Sequence, residues 1–415
     1  MPGYRAPVGT HDVLPPESAR WAGLVARFAT RAGRAGYGLV VSPMFEDVEV
    51  FGRVGETTDV VRKEMYDFED KGGRRIALRP EGTASVVRAF VQHRPPTPFK
   101  AWYAAPSFRY ERPQAGRFRQ HHQLGVEVLG TDDPDVDVEV IALADGLFRE
   151  LGLSRVDLHL NSLGDDRCRP AHRAALVEWF TARRDQLCDE HRDRIEENPL
   201  RILDCKRPEC RAASEGAPRM VDMLCEDCAP HFARVRAGLD ALGIGFTVDP
   251  MLVRGLDYYT RTTFEFAAAA LESAQNGIGG GGRYDGLAEA LGGDATPGIG
   301  FGLGVERILL ACDAEDVFPA PDAAVDVFVI DTTGGEAAMA VTHELRAAGI
   351  AADRAFDDRS WKAQLKAAQR SGAALAVSVE QDGISIRTLQ EKGEAERVDR
   401  ADIVEHVRKR LAPAD

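Results

Sequence analysis

Four arginines fall within eleven residues along Phe108-Arg109-Tyr110-Glu111-Arg112-Pro113-Gln114 and on through Arg117, Arg119 and Gln120. A guanidinium is planar and permanently charged, and it presents two parallel N–H groups. A dense arginine loop therefore suits phosphate or carboxylate, although the same run would also serve as a solvated turn. Just downstream, alternation puts Gln123, Gly125 and Glu127 on one face of an extended segment and Leu124, Val126 and Val128 on the other. Two polar groups on one strand face beside an arginine loop look like a pocket wall. Gly279 to Gly282 is a run of four glycines followed by Arg283-Tyr284-Asp285, and Gly298-Ile-Gly-Phe-Gly-Leu-Gly304 alternates glycine with bulky apolar residues. Such segments give up side-chain packing, which is expected where a ligand or another backbone approaches closely. Arg307 follows in the first turn of the next helix, where it could reach a bound anion or be an ordinary helix-surface arginine. Neither a dinucleotide fingerprint nor a Gly-Lys-Ser/Thr phosphate loop is present.

A second cluster holds sulfur. Cys205-x4-Cys210 and Cys225-x2-Cys228 form two close pairs. Four thiols in this pattern read as one structural zinc site stapling the surrounding segment, or as four plain thiols in a reducing compartment. Cys168, Cys188 and Cys312 read as isolated residues.

The elements that must position these groups follow from periodicity. Residues 17 to 36 predict a helix, with Leu24, Phe28 and Ala32 on one face and Gly36 ending it. Leu39 to Ser42 and Ile76 to Leu78 predict short strands, and the latter leads into Arg79-Pro80-Glu81-Gly82-Thr83 and a helix through about His93. Ala101 to Tyr110 and Gln123 to Gly130 predict two antiparallel strands flanking the arginine loop, and Val136 to Leu151 an amphipathic helix. Residues 166 to 245 change texture and predict an α-helical insertion. Strand texture returns near Leu252 and at Thr262 to Ala267. Gly277 to Gly282 predicts a turn, and Gly304 to Cys312 a buried helix. Pro319, Pro321 and Asp322 mark a linker. Beyond it, a strand at Val325 to Ile330, helices near 335–348 and 360–371, and a strand at Ala374 to Val379 predict a small α/β domain with a partly parallel sheet.

Bulk properties set limits. The 415 residues, 44% of them hydrophobic, are enough for two or three domains. No long apolar run predicts a membrane span, and the first residues lack the apolar core of a signal peptide, so a cytoplasmic protein is expected. Seven cysteines are too few for a disulfide scaffold. The net charge of −14 shows no basic footprint for nucleic acid, so a nucleic-acid partner has to be argued from motifs.

Those motifs resemble a known family. Phe108 to Gly130 and Gly298 to Leu309 resemble motifs 2 and 3 of class II aminoacyl-tRNA synthetases, and Tyr37 to Pro43 resembles their weaker motif 1. Leu252-Val253-Arg254-Gly255-Leu256-Asp257-Tyr258-Tyr259-Thr260-Arg261-Thr262 is similar to the signature peptide of histidyl-tRNA synthetases, as are Gly9 to Pro15, Arg79 to Thr83 and Gly279 to Leu287. Val8 and Thr260 depart from the residues many members carry, a basic residue and asparagine. The resemblance implies an α+β fold: a class II antiparallel sheet of six or seven strands in a catalytic domain over 1–322, a helical insertion at about 166–245, and an α/β anticodon-binding domain over 323–415.

It also implies a reaction, the ATP-dependent activation of L-histidine to histidyl-adenylate and its transfer to tRNA(His), in a homodimer with Mg accompanying ATP. Arg109, Arg254 and Arg307 would be catalytic, Arg109 and Arg254 at the α-phosphate and Arg307 at the γ-phosphate. Glu111 would join Arg109 and Arg307 in binding ATP. Glu81, Gly82, Thr83 and Gln123 would surround the α-amino group of histidine, while Glu127, Tyr258 and Tyr259 would line its imidazole and Arg109 and Arg254 its carboxylate. A structural zinc on Cys205, Cys210, Cys225 and Cys228 is not a requirement of the family. The rival reading is a catalytically inactive, synthetase-like regulatory subunit of histidine biosynthesis. Such proteins lack the C-terminal domain and have eroded arginines.

Overall fold

The computed structural model describes residues 3–55, 60–203, 205, 207–253, 258–271, 276–321, 325–356, 359–389 and 394–412. The chain divides into two compact units, Met1–Val13 with Trp21–Pro319, and Leu14–Arg20 with Ala320–Asp415.

In the first unit the chain runs through α1 (Glu17–Arg34), β1 (Gly38–Leu39), β2 (Phe45–Asp47), α2 (Val48–Gly55), β3 (Tyr66–Glu69), β4 (Arg75–Leu78), α3 (Thr83–His93), β5 (Phe99–Phe108), β6 (Gln120–Leu129), α4 (Pro134–Glu150) and β7 (Val156–Ser162). A helical segment follows: α5 (Arg169–Thr181), α6 (Asp189–Arg192), α7 (Leu200–Leu203), α8 (Pro208–Ser214) and α9 (Cys228–Ala241). The unit closes with β8 (Thr247–Val248), β9 (Thr260–Ala268), β10 (Gly277–Arg283), α10 (Leu287–Ala290), β11 (Gly298–Gly304) and α11 (Val305–Ala314).

Eight strands form one sheet in the order β1-β5-β6-β11-β10-β9-β7-β8. Its interior pairs are antiparallel, and only the two-residue edge strands β1 and β8 pair in parallel. Strands β2, β4 and β3 make a separate antiparallel sheet beside α3. One face of the large sheet is apolar by the expected alternation: Leu124, Val126 and Val128 are buried there with Phe301 and Phe264. Helix α1 covers that face through Leu24, Phe28 and Ala32, spaced four apart as a helix stripe requires. Phe28 meets the rings of Trp102 and Phe301 edge-on at 5.9 and 6.2 Å, and truncating it to alanine would cost about 3–5 kcal/mol. Helix α4 starts where Asp133 accepts the Asp135 N–H at 2.9 Å and Pro134 occupies the first turn.

Two expectations are corrected. Gly277 to Gly282 is a central strand, not a turn. It fits because it lies between two close backbones: a Cβ on Gly281 would sit 1.9 Å from the Gly300 carbonyl oxygen. The end of this strand is fixed by a buried ion pair that sequence patterning does not reveal. The Arg283 guanidinium reaches the Asp137 carboxylate at 2.7 Å and donates to the carbonyls of Thr131 and Asp133, and His231 bonds the same carboxylate at 2.9 Å. The second correction is at Leu252, which lies in no strand; the extended pair nearby is Thr247–Val248.

The second unit holds β12 (Val327–Asp331), α12 (Glu336–Ala347), β13 (Ala352–Arg354), α13 (Trp361–Arg370), β14 (Leu375–Glu380), β15 (Gly383–Thr388), β16 (Glu396–Val398) and α14 (Ile403–Leu411). The sheet order is β13-β12-β14-β15-β16, parallel through the first three strands and antiparallel thereafter. The continuous apolar run of β12 is buried on both faces, as a strand covered by helices must be. Among the described residues no helix is long and apolar enough to cross a membrane.

Candidate active site

The polar face of the large sheet carries a buried polar cluster, the floor of the site, centred on Glu127. Strand pairing sets Glu127 opposite Gly300, Gly125 opposite Gly302, and Gln123 opposite Gly304. The bare glycine face is therefore occupied by the site's own side chains. A Cβ on Gly300 would lie 1.8 Å from the Glu127 carboxylate, and one on Gly125 would lie 2.1 Å from the Tyr103 ring. Glu127 is fully buried. Its carboxyl accepts from Thr83 Oγ1 at 2.7 Å, from Tyr103 OH at 3.4 Å and from Tyr284 OH. Burial pushes its pKa up to about 8, against the pull of the Tyr284 and Thr83 hydrogen bonds.

Beside it, Glu81 caps the start of α3 by accepting the backbone N–H groups of Thr83 and Ala84 at 2.6 and 2.9 Å. Burial raises this carboxyl too, and the two N–H groups and the charge of Arg109 partly restrain it. Gln123 accepts from Ser107 Oγ at 2.9 Å. Tyr258 stacks obliquely on Tyr259 at 4.6 Å and meets Tyr284 edge-on at 5.8 Å. The pocket is thus rich in hydroxyls and holds two buried acids.

Further along β6 and β11 the surface becomes cationic. Arg109, Arg117 and Arg307 line one cleft with Glu111, His121 and Glu306. Arg109 donates from Nε to the Pro80 carbonyl at 2.9 Å, and Arg307 donates to the carbonyls of Gly116 and Gly277. Gly116 takes a left-handed conformation at φ 68°, which folds the arginine loop back against Arg307. Glu111 receives Arg117 at 3.0 Å and lies 3.9 Å from Arg109. Burial, with the charge of Arg117, lowers the pKa of Arg307. Burial and the charge of Arg109 drive His121 down to about 3, so its ring is neutral. Glu306 is spoken for: it accepts the backbone N–H of His122 and lies 2.7 Å from its ring. Guanidiniums in a half-buried cleft, satisfied mainly by carbonyls, form a site that takes a polyanion.

The family model described as histidyl-tRNA synthetase matches residues 9–164 and 208–308, and the one described as anticodon binding domain matches 323–410. A histidine–tRNA ligase of Rhodococcus erythropolis is 54% identical over 382 residues, spanning 90% of this chain and 89% of the relative. One of Saccharopolyspora erythraea is 48% identical across 100% of both chains. The crystal structure of apo histidyl-tRNA synthetase from S. aureus superposes with a TM-score of 0.82 at 35% identity, covering 98% of this chain and 100% of that one. The chain belongs to the histidyl-tRNA synthetase family.

The fold is the α+β class II arrangement expected for that family, with an eight-stranded sheet where six or seven were anticipated. Of the candidate residues, Glu81, Gly82, Thr83, Gln123, Glu127, Tyr258 and Tyr259 gather around the pocket, and Arg109, Glu111 and Arg307 around the cleft. Gly82 earns its place sterically, since a Cβ there would lie 2.4 Å from the Tyr103 ring. Arg254 lies outside the described residues. Sequence reasoning missed the roles of Tyr103 and Tyr284, which both bond Glu127, and of His121 and Glu306 in the cleft, whereas Arg117, part of the arginine loop, lies in the cleft. Register offered the only cue: Tyr103 faces Gly125 across the ladder.

The cysteine reading needs correction. Cys205, Cys210, Cys225 and Cys228 do not converge. Cys205 and Cys210 gather with Cys188 and His191, whereas Cys225 and Cys228 gather with Cys168 and Asp165. The two cysteines set aside as isolated, Cys168 and Cys188, complete the separate groups; only Cys312 stands apart in the main core. The histidyl-tRNA synthetase match leaves out residues 165–207, where most of these ligands fall.

Proposed function

We propose that this chain is a histidine–tRNA ligase, which joins L-histidine to ATP as histidyl-adenylate, releases pyrophosphate and passes the histidyl group to tRNA(His). The observation that carries the reading is the position of Glu127. It is a buried, multiply hydrogen-bonded acid on the same strand face that leads, two and four residues earlier, through Gly125 and Gln123 to the arginine cleft. An amino acid with a nitrogenous ring lies along that line, its ring at Glu127 and its carboxylate toward Arg109.

The roles follow from charge. Glu81, Thr83 and Gln123 receive the α-ammonium, with Gly82 clearing the space. Glu127 accepts a ring N–H, and Tyr258 and Tyr259 close the sides of the ring. A ring with a nitrogen on each side is recognised by a partner for each, and a site built on such bonds rejects side chains lacking them by large factors, on the order of 10⁴ or more. Arg109 holds the substrate carboxylate and the α-phosphate at the reacting centre, and Arg307 holds the far phosphates. Arg254 is assigned to the α-phosphate by resemblance alone. In-line attack of the carboxylate on the α-phosphorus spreads negative charge over phosphate oxygens, so fixed guanidiniums lower the barrier directly.

Mg would accompany the β- and γ-phosphates and neutralise their charge. The cleft offers two carboxylates, Glu111 and Glu306. Both oxygens of Glu306 accept from the His122 backbone N–H; Glu111, which pairs with the half-exposed Arg117, would hold the ion by exchanging that partner.

The second unit supports the tRNA step. On α13, Lys362, Lys366 and Arg370 recur every four residues and form an exposed basic stripe on a chain that is otherwise acidic. The flanking Asp357 and Asp358 lie outside the described residues. A homodimer is supported by apolar side chains left exposed at Leu39, Val41, Met44 and Phe45, around the motif 1 segment.

Histidine-dependent ATP–pyrophosphate exchange tests the proposal. The wild type should exchange with histidine and with no other amino acid, and Arg109→Ala should lower the rate about 10³-fold. Well-folded protein without exchange would favour the inactive regulatory-subunit reading.

A further inference from the structure

The two cysteine groups are too well formed to be packing. In the first, Cys188 Sγ lies 3.1 Å and Cys210 Sγ 3.7 Å from His191 Nδ1, with Cys205 alongside. In the second, Asp165 Oδ1 lies 3.4 Å from Cys168 Sγ and 3.6 Å from Cys225 Sγ, with Cys228 completing the set. A tetrahedral zinc about 2.3 Å from sulfur and about 2.0 Å from nitrogen or oxygen sets its ligand atoms roughly 3.5–3.8 Å apart. We propose that residues 165–228 carry two separate zinc sites, one made by Cys188, His191, Cys205 and Cys210 and the other by Asp165, Cys168, Cys225 and Cys228.

Three further observations support this. Every ligand pair is close in sequence: Asp165-x2-Cys168, Cys188-x2-His191, Cys205-x4-Cys210 and Cys225-x2-Cys228. Backbone N–H groups point at sulfur, from Cys188 to Cys210 Sγ at 3.3 Å and from Cys225 to Cys168 Sγ at 3.1 Å. Such bonds hold a thiolate in place beneath a metal. Disulfides do not explain the groups, because three thiols leave one unpaired in each and assign no part to His191 or Asp165. Nor does apolar packing, which would not set a carboxylate among three sulfurs. Three thiolates with one imidazole or carboxylate make a closed donor set of the structural-zinc kind, with no open position for chemistry.

The two sites hold different things together. The first lies within the lobe of α6, α7 and α8, helices of four, four and seven residues. Helices this short have little stability of their own, and the apolar cluster beneath them is small. The second joins the end of β7 to the start of α9 and so ties together the two ends of the helical segment. It also touches the catalytic sheet: Arg261 lies 3.8 Å from Asp165, and its N–H bonds the Gly164 carbonyl, one residue past the Tyr259–Thr260 peptide. The second site therefore positions the start of β9, directly after Tyr258 and Tyr259, and the first site does not.

The test uses full-length protein purified with reductant, assayed for zinc per chain by elemental analysis and native mass spectrometry. The half-exposed ligands Cys205 and Cys225 are replaced one at a time by serine. The wild type should hold about two zinc ions, and Cys205→Ser and Cys225→Ser one each. Cys225→Ser should raise the histidine KM about tenfold with the ATP KM little changed, while Cys205→Ser leaves both near wild type. Replacement of zinc by Co²⁺ should give the intense absorption of tetrahedral thiolate sites. Fewer than two zinc ions in the wild type would overturn the proposal, as would loss of both ions in either variant or an iron–sulfur spectrum. Because the wild-type stoichiometry decides the first point, a variant that fails to fold does not shield the idea.

Discussion

The pocket floor and the arginine cleft share strands β6 and β11, yet they are unbalanced in opposite directions. On the floor, Glu81 and Glu127 are buried among hydroxyls and N–H groups, with Arg109 as the nearby cation acting on Glu81. In the cleft, Arg109 and Arg307 donate to backbone carbonyls, and Arg117 pairs with the Glu111 carboxylate. Neither end is neutral by itself. An amino acid carrying an ammonium and a ring N–H at one end and a carboxylate joined to polyphosphate at the other completes both. The proposed function assigns selectivity to the floor and rate to the cleft, and substitutions should separate the two.

The largest separation should come from a methyl group. Gly300→Ala places a Cβ 1.8 Å from the Glu127 carboxylate and 2.3 Å from the Val126 carbonyl oxygen, so the floor must move. We expect kcat/KM for histidine to fall by about 10³-fold or more, with a lower Tm. Gly302→Ala is the control on the same strand. Its Cβ would meet the Gln123 side-chain amide at 2.9 Å and the Tyr103 hydroxyl at 3.9 Å, side-chain ends that can give way, so it should fold and leave Glu127 in place, with a smaller loss set by the shifted Gln123. Equal losses in exchange assays would mean that the glycines serve the sheet and not the pocket.

Glu127→Gln should raise the histidine KM about 10²-fold, the value of a charge-assisted hydrogen bond, with the ATP KM little changed. The pH dependence sharpens the point. With its pKa near 8, Glu127 is largely protonated in the empty pocket at neutral pH, and the ionised form is the stronger acceptor for a ring N–H. The wild-type histidine KM should therefore fall from pH 7 to pH 8.5, and the variant's should not. Stability runs the other way. Between the ordinary carboxyl value of 4.5 and about 8 the folded chain holds a proton that the unfolded chain releases, so wild-type stability falls as pH rises through that window. Glu127→Gln removes this term and should raise Tm more at pH 8.5 than at pH 5. A variant less stable at both pH values would mean that Glu127 holds the fold together.

Much of this contrast was legible in residue order. The alternation of Gln123, Gly125 and Glu127 placed the floor on one strand face, and the arginine density of 109–119 placed the cleft beside it. The helix stripe of Leu24, Phe28 and Ala32 gave the covering element. What stayed hidden depends on register between distant strands. Tyr284 lies far from Glu127 in sequence and bonds it only because β10 and β11 align. The glycine run at 277–282 reads as a turn because glycine favours turns; its place in the middle of a sheet is set by the close backbones of the strands on either side. Arg283 looks like a surface cation until Asp137 and His231 are brought to it. The cysteines fail for the same reason: spacing pairs Cys205 with Cys210 and Cys225 with Cys228, but it cannot say that Cys188 and Cys168 finish two different sets.

Tyr284→Phe tests the floor more gently. It deletes one hydroxyl donor to Glu127 and keeps the ring that packs against Tyr258. The histidine KM should rise about tenfold. Because that hydrogen bond lowers the Glu127 pKa, its loss should shift the pH profile of the histidine KM upward. An unshifted profile would assign the pH dependence to another group.

The smallest effect belongs to the rim of the cleft. The Arg117 side chain is 41% exposed and paired with Glu111 at 3.0 Å, so water and salt screen its charge and its guanidinium contributes modestly. Arg117→Ala should raise the ATP KM roughly threefold at low ionic strength, fade toward no effect in high salt, and leave the histidine KM unchanged. Removing Arg117 also frees Glu111, which lowers ATP affinity by repulsion unless Mg fills the gap, so the defect should shrink as Mg is raised. A change in histidine KM as large as the change in ATP KM would break the division between floor and cleft, because it would show a cation at the rim reaching the ring pocket.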